Sequence, residues 1–260
     1  MKVIYFYNMK IIRKSKLKKI IKYSLEDIQN ESFLLNHHLG LGDHIICNGL
    51  ANYLSESSKF IFMPVKKKYY EMVKFLFSEN PKIQLFALNP NIDEVDQINF
   101  FAYKNDLEIL RVGYEKTSTP FSEGFYSQLG LDYSVSKTKF KLPFDSEKSL
   151  KLENHLKKIY NIYNDYDIFH LESTTGKYKL ENLKIESNHD AVFIEKDTDL
   201  FNNLFLYKNL IINAKSIHCI DSAVFHLVER LETSGDLYFH NFKNNLESLN
   251  FFKEWKIINY

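Results

Sequence analysis

At 260 residues, 45% hydrophobic and 26% charged, the chain has enough apolar side chains for one large core or two modest ones. Its formal net charge of +1 gives no global electrostatic reason to bind nucleic acid, so no such partner is expected and any basic surface must be local. Two cysteines without CxxC spacing, no apolar run near the roughly 18 residues of a membrane span, and no signal-peptide pattern predict reduced thiols and a cytoplasmic chain.

In chain order, Val3–Tyr7 reads as a short strand. Lys10, Arg13, Lys14, Lys16, Lys18, Lys19 and Lys22 follow with no acid among them, while Ile12, Leu17, Ile20, Ile21, Leu25 and Ile28 recur at partly helical spacing. This predicts a basic amphipathic helix. It either packs by its Ile face or lies peripherally on an anionic membrane through residues 10–22.

From residue 32 strands and helices alternate. Phe33–His37, Lys59–Met63, Ile83–Leu88 and Leu107–Val112 are predicted strands; helical patterns fill 45–56, 66–78 and 94–104. Phe121–Gly130 reads as a short helix closed by glycine. A charged helix over 145–163 leads to a second alternation, with strands at Tyr166–Leu171, Ala191–Glu195, Ile217–Ile220, Leu237–His240 and Lys256–Ile258. Helices are expected at 200–212 and 222–231, and 172–189 reads as loop. The pattern predicts an α/β protein with two Rossmann-like parallel-sheet domains facing a cleft. The expected divisions are an N-terminal basic segment (1–31), a first domain (32–144) and a second (145–260).

Three stretches carry candidate chemistry. The first is Gly40-Leu41-Gly42-Asp43-His44-Ile45, a strand-to-helix turn where open α/β sheets place ligands. Isoleucine stands where a dinucleotide fingerprint needs its third glycine, and no Gly-Lys-Ser/Thr follows, so neither familiar phosphate loop fits. Gly40 and Gly42 are read as turn glycines that bring backbone close to a ligand. Asp43 is either a general base or the cap of a helix beginning near Ile45. His37, His38, Asp43 and His44 also raise a metal-site reading, although adjacent strand residues point to opposite faces.

The second stretch runs from Ser216 to Leu227. Asp221 and Ser222 are natural helix caps, and His226 falls one turn after Ser222 on the same face. The third, Phe169–Lys179, follows a strand with Thr174, Thr175, Gly176, Lys177 and Lys179, a set able to hold phosphate oxygens through hydroxyls, amides and ammonium charge.

Taken together, Gly42-Asp43, the Thr174-Thr175 pair with Lys179, and Asp221-Ser222 with His226 resemble the glycosyltransferase family 9 group, the heptosyltransferase-like enzymes of GT-B fold. His218-Cys219-Ile220-Asp221-Ser222, Arg111–Glu115 and Phe121–Gly130 also resemble segments of small glycosyltransferase-like proteins that carry a Gly-Leu-Gly-Asp-His-Ile turn, and the resemblance spans roughly residues 32 to 258. Ala223 departs from the family's usual glycine, and the proline common in the helix after Gly-Asp is absent. The resemblance implies a glycosyltransferase moving a sugar from a nucleotide-diphosphate donor to a hydroxyl on a glycan, lipid-linked or other acceptor. The reaction would be inverting and metal-independent, with no cofactor beyond the nucleotide-sugar co-substrate. Asp43 would be the base, and Thr174, Thr175, Lys177, Lys179, Asp221, Ser222 and His226 would serve the donor. The alternatives are a non-catalytic nucleotide- or glycan-binding protein of the same fold, or a His/Asp metal-dependent hydrolase.

Overall fold

The computed structural model describes residues 21–22, 25–115, 119–173, 176–179, 181, 189–244 and 246–260. Val3–Tyr7 and the basic run from Lys10 to Lys19 lie outside them. Where the predicted basic helix reaches described residues, it is replaced: Ile21–Lys22 forms a strand, β1, parallel to Ile109–Leu110, and Glu26–Ile28 is a single 3-10 turn. Pairing with a sheet edge satisfies these backbone groups in place of helical bonds. Contacts divide the chain into two units, Met1–Lys141 and Leu142–Tyr260.

The first unit is built on β2 (Ser32–Asn36), β3 (Phe60–Lys66), β4 (Ile83–Leu88) and β5 (Glu108–Arg111). With β1 they form a parallel sheet of order β1-β5-β2-β3-β4. Phe33, Leu34 and Leu35 are all buried, which is why β2 reads as a continuous apolar run rather than an alternating one. From β2 the chain moves outward through β3 to β4, then returns to β5 on the other side. The switch point therefore lies between the carboxyl ends of β2 and β5.

Helix α1 (Leu41–Ile46) follows β2 and is separated from α2 (Asn48–Ser57) by a break at Cys47. In a continuous helix the Leu50 N–H would bond to the Ile46 carbonyl. Both groups instead meet the Tyr126 hydroxyl, which accepts from Leu50 at 3.1 Å and donates to Ile46 at 2.6 Å. Tyr126, fully buried, comes from α5 (Phe121–Ser127), which follows α3 (Tyr70–Leu76) and α4 (Glu94–Lys104) in the chain. A side chain inserted into the helical ladder is thus the cause of the break.

The second unit begins with α7 (Ser146–Ile159), after the short α6 (Val135–Thr138) has closed the first. Its strands are β6 (Tyr166–His170), β9 (Asp190–Phe193), β10 (Ser216–Cys219), β11 (Asp236–Asn241) and β12 (Lys256–Asn259), with β7 (Glu172–Ser173) and β8 (Gly176–Lys177) forming a small antiparallel hairpin between β6 and β9. The order β12-β11-β10-β6-β9 is parallel throughout and puts the switch point between β6 and β10. One register row carries Phe193, Phe169, His218, Tyr238 and Lys256, one residue per strand. The first four rings stack successively at 5.5, 4.5 and 4.5 Å, and the Lys256 ammonium lies 4.9 Å from the Tyr238 ring centre. Such cross-strand pairs pin register. Among the described residues, no helix is long and apolar enough to cross a membrane.

Candidate functional site

The Gly-Asp turn differs in detail from its sequence reading. Helix α1 starts at Leu41, so Gly42 lies inside the helix and not in the turn, and Gly40 is the N-cap with extended backbone (φ −73, ψ 157). Asp43 is the third residue of the helix rather than its cap. Its Oδ2 accepts the Gly40 N–H at 3.0 Å, the carboxylate half of a capping box, where the helix dipole favours negative charge. A Cβ on Gly40 would stand 2.7 Å from that oxygen, so this glycine makes room for the Asp43 carboxylate.

The residues after β2 separate into two groups. His37 is fully buried with its ring edge-on to His44 at 4.6 Å. Burial pushes His37 down to about 4 and His44 well below its ordinary value, so both are neutral near pH 7. His38 turns elsewhere: its Nε2 donates to the Gly113 carbonyl at 2.8 Å and its ring stacks on Tyr114 at 4.3 Å. The Arg111 guanidinium lies 3.9 Å from the Tyr114 ring centre. Burial raises the Tyr114 hydroxyl's pKa, Arg111 opposes the rise, and the Asp43 charge adds to it. Gly113 adopts φ +82 with its α-carbon against Phe125, where a Cβ would overlap the ring. Among the described residues no group of three or more His, Cys, Asp or Glu is arranged to hold a metal, and His37, His38, Asp43 and His44 do not converge as one.

In the second unit His170 and Cys219 are register partners, so the turns leaving β6 and β10 begin side by side at the switch point. Ser222 caps α9 (Ala223–Val228), reached after α8 (Lys208–Asn213), by accepting the Phe225 N–H at 3.5 Å. Asp221 lies 3.7 Å from Lys243, a cation that sequence reasoning missed. His226 is one turn on, its backbone N–H bonded to the Ser222 carbonyl at 3.3 Å; burial pushes its ring down to about 3.

Thr174 and Thr175 lie outside the described residues. Lys177, exposed on β8, pairs with Glu195 at 3.0 Å and Glu172 at 3.4 Å, and the Glu195 hydrogen bond is the main reason its pKa rises. Lys179 pairs with Glu181 at 3.4 Å. Both lysines border a pocket of about 200 Å³ at the carboxyl edge of β6 and β9, walled by Phe169, Leu171, Tyr178 and Phe193 with Glu172 and Glu195 among its polar groups. Tyr178, Glu172 and Glu195 were not singled out from sequence. The available signal was their position, just past two apolar strand runs, where a parallel sheet presents its ligands.

No family model matches the sequence, and no curated protein matches it. Among solved structures, the chain is similar to a glycosyl transferase family 9 protein from Veillonella parvula DSM 2008, with a TM-score of 0.58, 12% sequence identity, and coverage of 90% of this chain and 87% of that one. At that identity the likeness shows the fold alone: two Rossmann-like parallel α/β units in one chain, a fold of the GT-B type.

Proposed function

We propose that the protein is a glycosyltransferase using a nucleotide-diphosphate sugar donor and a hydroxyl acceptor. The supporting observation is that all three chemistry-bearing stretches, scattered through the sequence, follow the carboxyl ends of strands that border a switch point in a fold similar to that of a glycosyl transferase. Asp43 would take the acceptor's proton as the new glycosidic bond forms, inverting the sugar carbon in a single displacement. A carboxylate suffices because the hydroxyl proton becomes acidic only as the bond develops.

On the donor side, the pocket offers aromatic walls to a nucleobase and the Glu195 and Glu172 carboxylates to ribose hydroxyls. Lys177, Lys179 and the Thr174 and Thr175 hydroxyls would stabilise the departing diphosphate without a metal. Exposed ion pairs such as Lys177–Glu195 are worth only about 0–1 kcal/mol, so a diphosphate can draw the lysine away at small cost. Ser222 caps α9 and Asp221 pairs with Lys243 beside it, where Asp221 would suit a donor hydroxyl better than an anionic phosphate; His226 would complete that side as a neutral hydrogen-bonding group. Peripheral contact of residues 10–22 with an anionic membrane belongs to the same proposal, and salt-sensitive binding to anionic vesicles tests it.

The deciding experiment is a thermal-shift panel of nucleotides and nucleotide-sugars, followed by turnover assays with the best donor. Saturation at a hundred times Kd stabilises the native state by about 2.7 kcal/mol, which a melt resolves. No stabilisation by any nucleotide would defeat the reading. A second reading, nucleotide or glycan binding without transfer, is favoured by the structural bond of Asp43 to Gly40 and the ion pairs of Lys177 and Lys179. Tight donor binding with no transfer to any acceptor would select it.

A further inference from the structure

We propose that Tyr260 is a positioning residue for the second unit's pocket, holding the Tyr178 wall in place for a planar base although Tyr260 itself does not line the pocket. The inference rests on the donor reading above. Its basis is a closed circuit of contacts on one side of the sheet. Tyr178 lines the pocket and stacks on Phe242 at 3.8 Å with the rings 6° from parallel. Phe242 in turn stacks on Tyr260 at 3.9 Å. The Tyr260 hydroxyl bonds to His240 Nδ1 at 2.8 Å, His240 Nε2 to His218 Nδ1 at 3.1 Å, and His218 Nε2 to Ser216 Oγ at 2.8 Å. His218 stacks on Phe169, which lines the same pocket.

The hydrogen-bond chain is consistent when both imidazoles are neutral. Each then has one donor and one acceptor nitrogen, so all the donors along the chain between Tyr260 and Ser216 point the same way, whichever end begins it. Burial favours that state, holding His218 near 3 and His240 near 4. Both rings are buried, whereas Tyr178 and Phe242 are only half-buried. Tyr178 and Phe242 pack on the buried Phe169, Leu171 and Ile220, and the stack on Tyr260 adds the order of a buried hydrogen-bonded network to that wall. The Tyr178 backbone N–H bonds across the hairpin to the Leu171 carbonyl at 2.9 Å. A stacked aromatic wall that is already ordered spares a ligand the entropy of ordering it.

The test is isothermal calorimetry of the full chain with ADP, GDP, UDP, CDP and inorganic pyrophosphate, for wild type, Tyr260→Ala and Tyr260→Phe, with melting temperatures recorded in parallel. Tyr260→Ala is expected to weaken the best nucleoside diphosphate by about 3- to 10-fold, the range of one aromatic pair, while pyrophosphate binding stays constant. Tyr260→Phe keeps the stack and loses the His240 bond, so it is expected to fall between; it carries the test if the alanine variant does not melt cooperatively. Equal loss for pyrophosphate and nucleotide would reduce Tyr260 to a general structural role and overturn the proposal, as would unchanged nucleotide affinity. Absence of nucleotide binding by wild type would instead defeat the donor reading, and this inference with it.

Discussion

Asp43 Oδ2 accepts the Gly40 backbone N–H at 3.0 Å, so the residue proposed as the base also holds the first turn of its own helix. A carboxylate has two oxygens and about four lone-pair sites, so a bond to an amide does not by itself bar it from taking a proton. Folding and chemistry can therefore be separated by choice of substituent.

Asp43→Asn keeps an oxygen that accepts from Gly40 but removes the basic carboxylate. The expected outcome is a melting temperature within a few degrees of wild type, unaltered nucleotide affinity, and turnover lower by orders of magnitude. Asp43→Ala removes both functions and should also cost about 0.5–2 kcal/mol, the range for loss of a capping side chain. Near-normal turnover in a folded asparagine variant would sink the base assignment.

Tyr126→Phe removes the hydroxyl that serves both the Leu50 N–H and the Ile46 carbonyl. Two buried backbone groups then lose a partner at once. Denaturant unfolding should show a loss of about 1–3 kcal/mol per stranded group, tempered if α1 and α2 close into a continuous helix. A loss below about 0.5 kcal/mol would show that the break at Cys47 does not depend on this hydroxyl.

The two sheets are legible in the sequence because fully buried parallel strands such as Phe33–Leu35 appear as apolar runs with helical spacing between them. Finer features depend on contacts far along the chain. The predicted single helix over 45–56 is two helices because Tyr126, distant in sequence, enters the ladder. Strand β3 runs to Lys66 through Pro64, which reads as a stop; pairing with β2 ends at Phe62, so beyond it only β4 bonds to β3 and a missing N–H is tolerated. The hairpin of β7 and β8 falls in a polar segment that reads as loop, since four residues carry no periodicity. At the site, residue types and order are readable, but the pairing of Lys177 with Glu195 is not, because β8 and the end of β9 meet only in the fold.

Acid should destabilise the protein before its carboxylates titrate. His37 and His240 are held near 4, His218 and His226 near 3, and His44 and His170 are also lowered, all chiefly by burial. In the unfolded chain each titrates near 6.5. Between about pH 6.5 and the folded values, the unfolded state therefore binds more protons, and stability rises with pH across that window. The expected melting temperature is level from pH 8 to 7 and falls progressively toward pH 4.5, at a slope of at most about 1.4 kcal/mol per pH unit for each histidine. A melting temperature constant from pH 7 to 4.5 would contradict the neutral burial of these rings.

Glu195 and Lys177 allow a prediction with opposite signs for two ligands. Lys177 is held between Glu195 and Glu172, so its charge is shared before any ligand arrives. Glu195→Gln removes one of those carboxylates and leaves the ammonium freer to meet phosphate. Inorganic pyrophosphate, which has no ribose, should bind equally or more tightly. A nucleoside diphosphate should lose about 1–3 kcal/mol if its ribose hydroxyls depend on the carboxylate, less whatever the freed lysine returns. Lys177→Met should weaken both ligands together, by about tenfold, while changing stability by less than about 1 kcal/mol because its pairs are exposed. Calorimetry with the two ligands against the two variants separates these effects. If Glu195→Gln strengthens both ligands alike, Glu195 acts only as a counter-ion to Lys177 and the ribose assignment fails, whereas divergence of the two ligands places the sugar of the nucleoside on that side of the pocket.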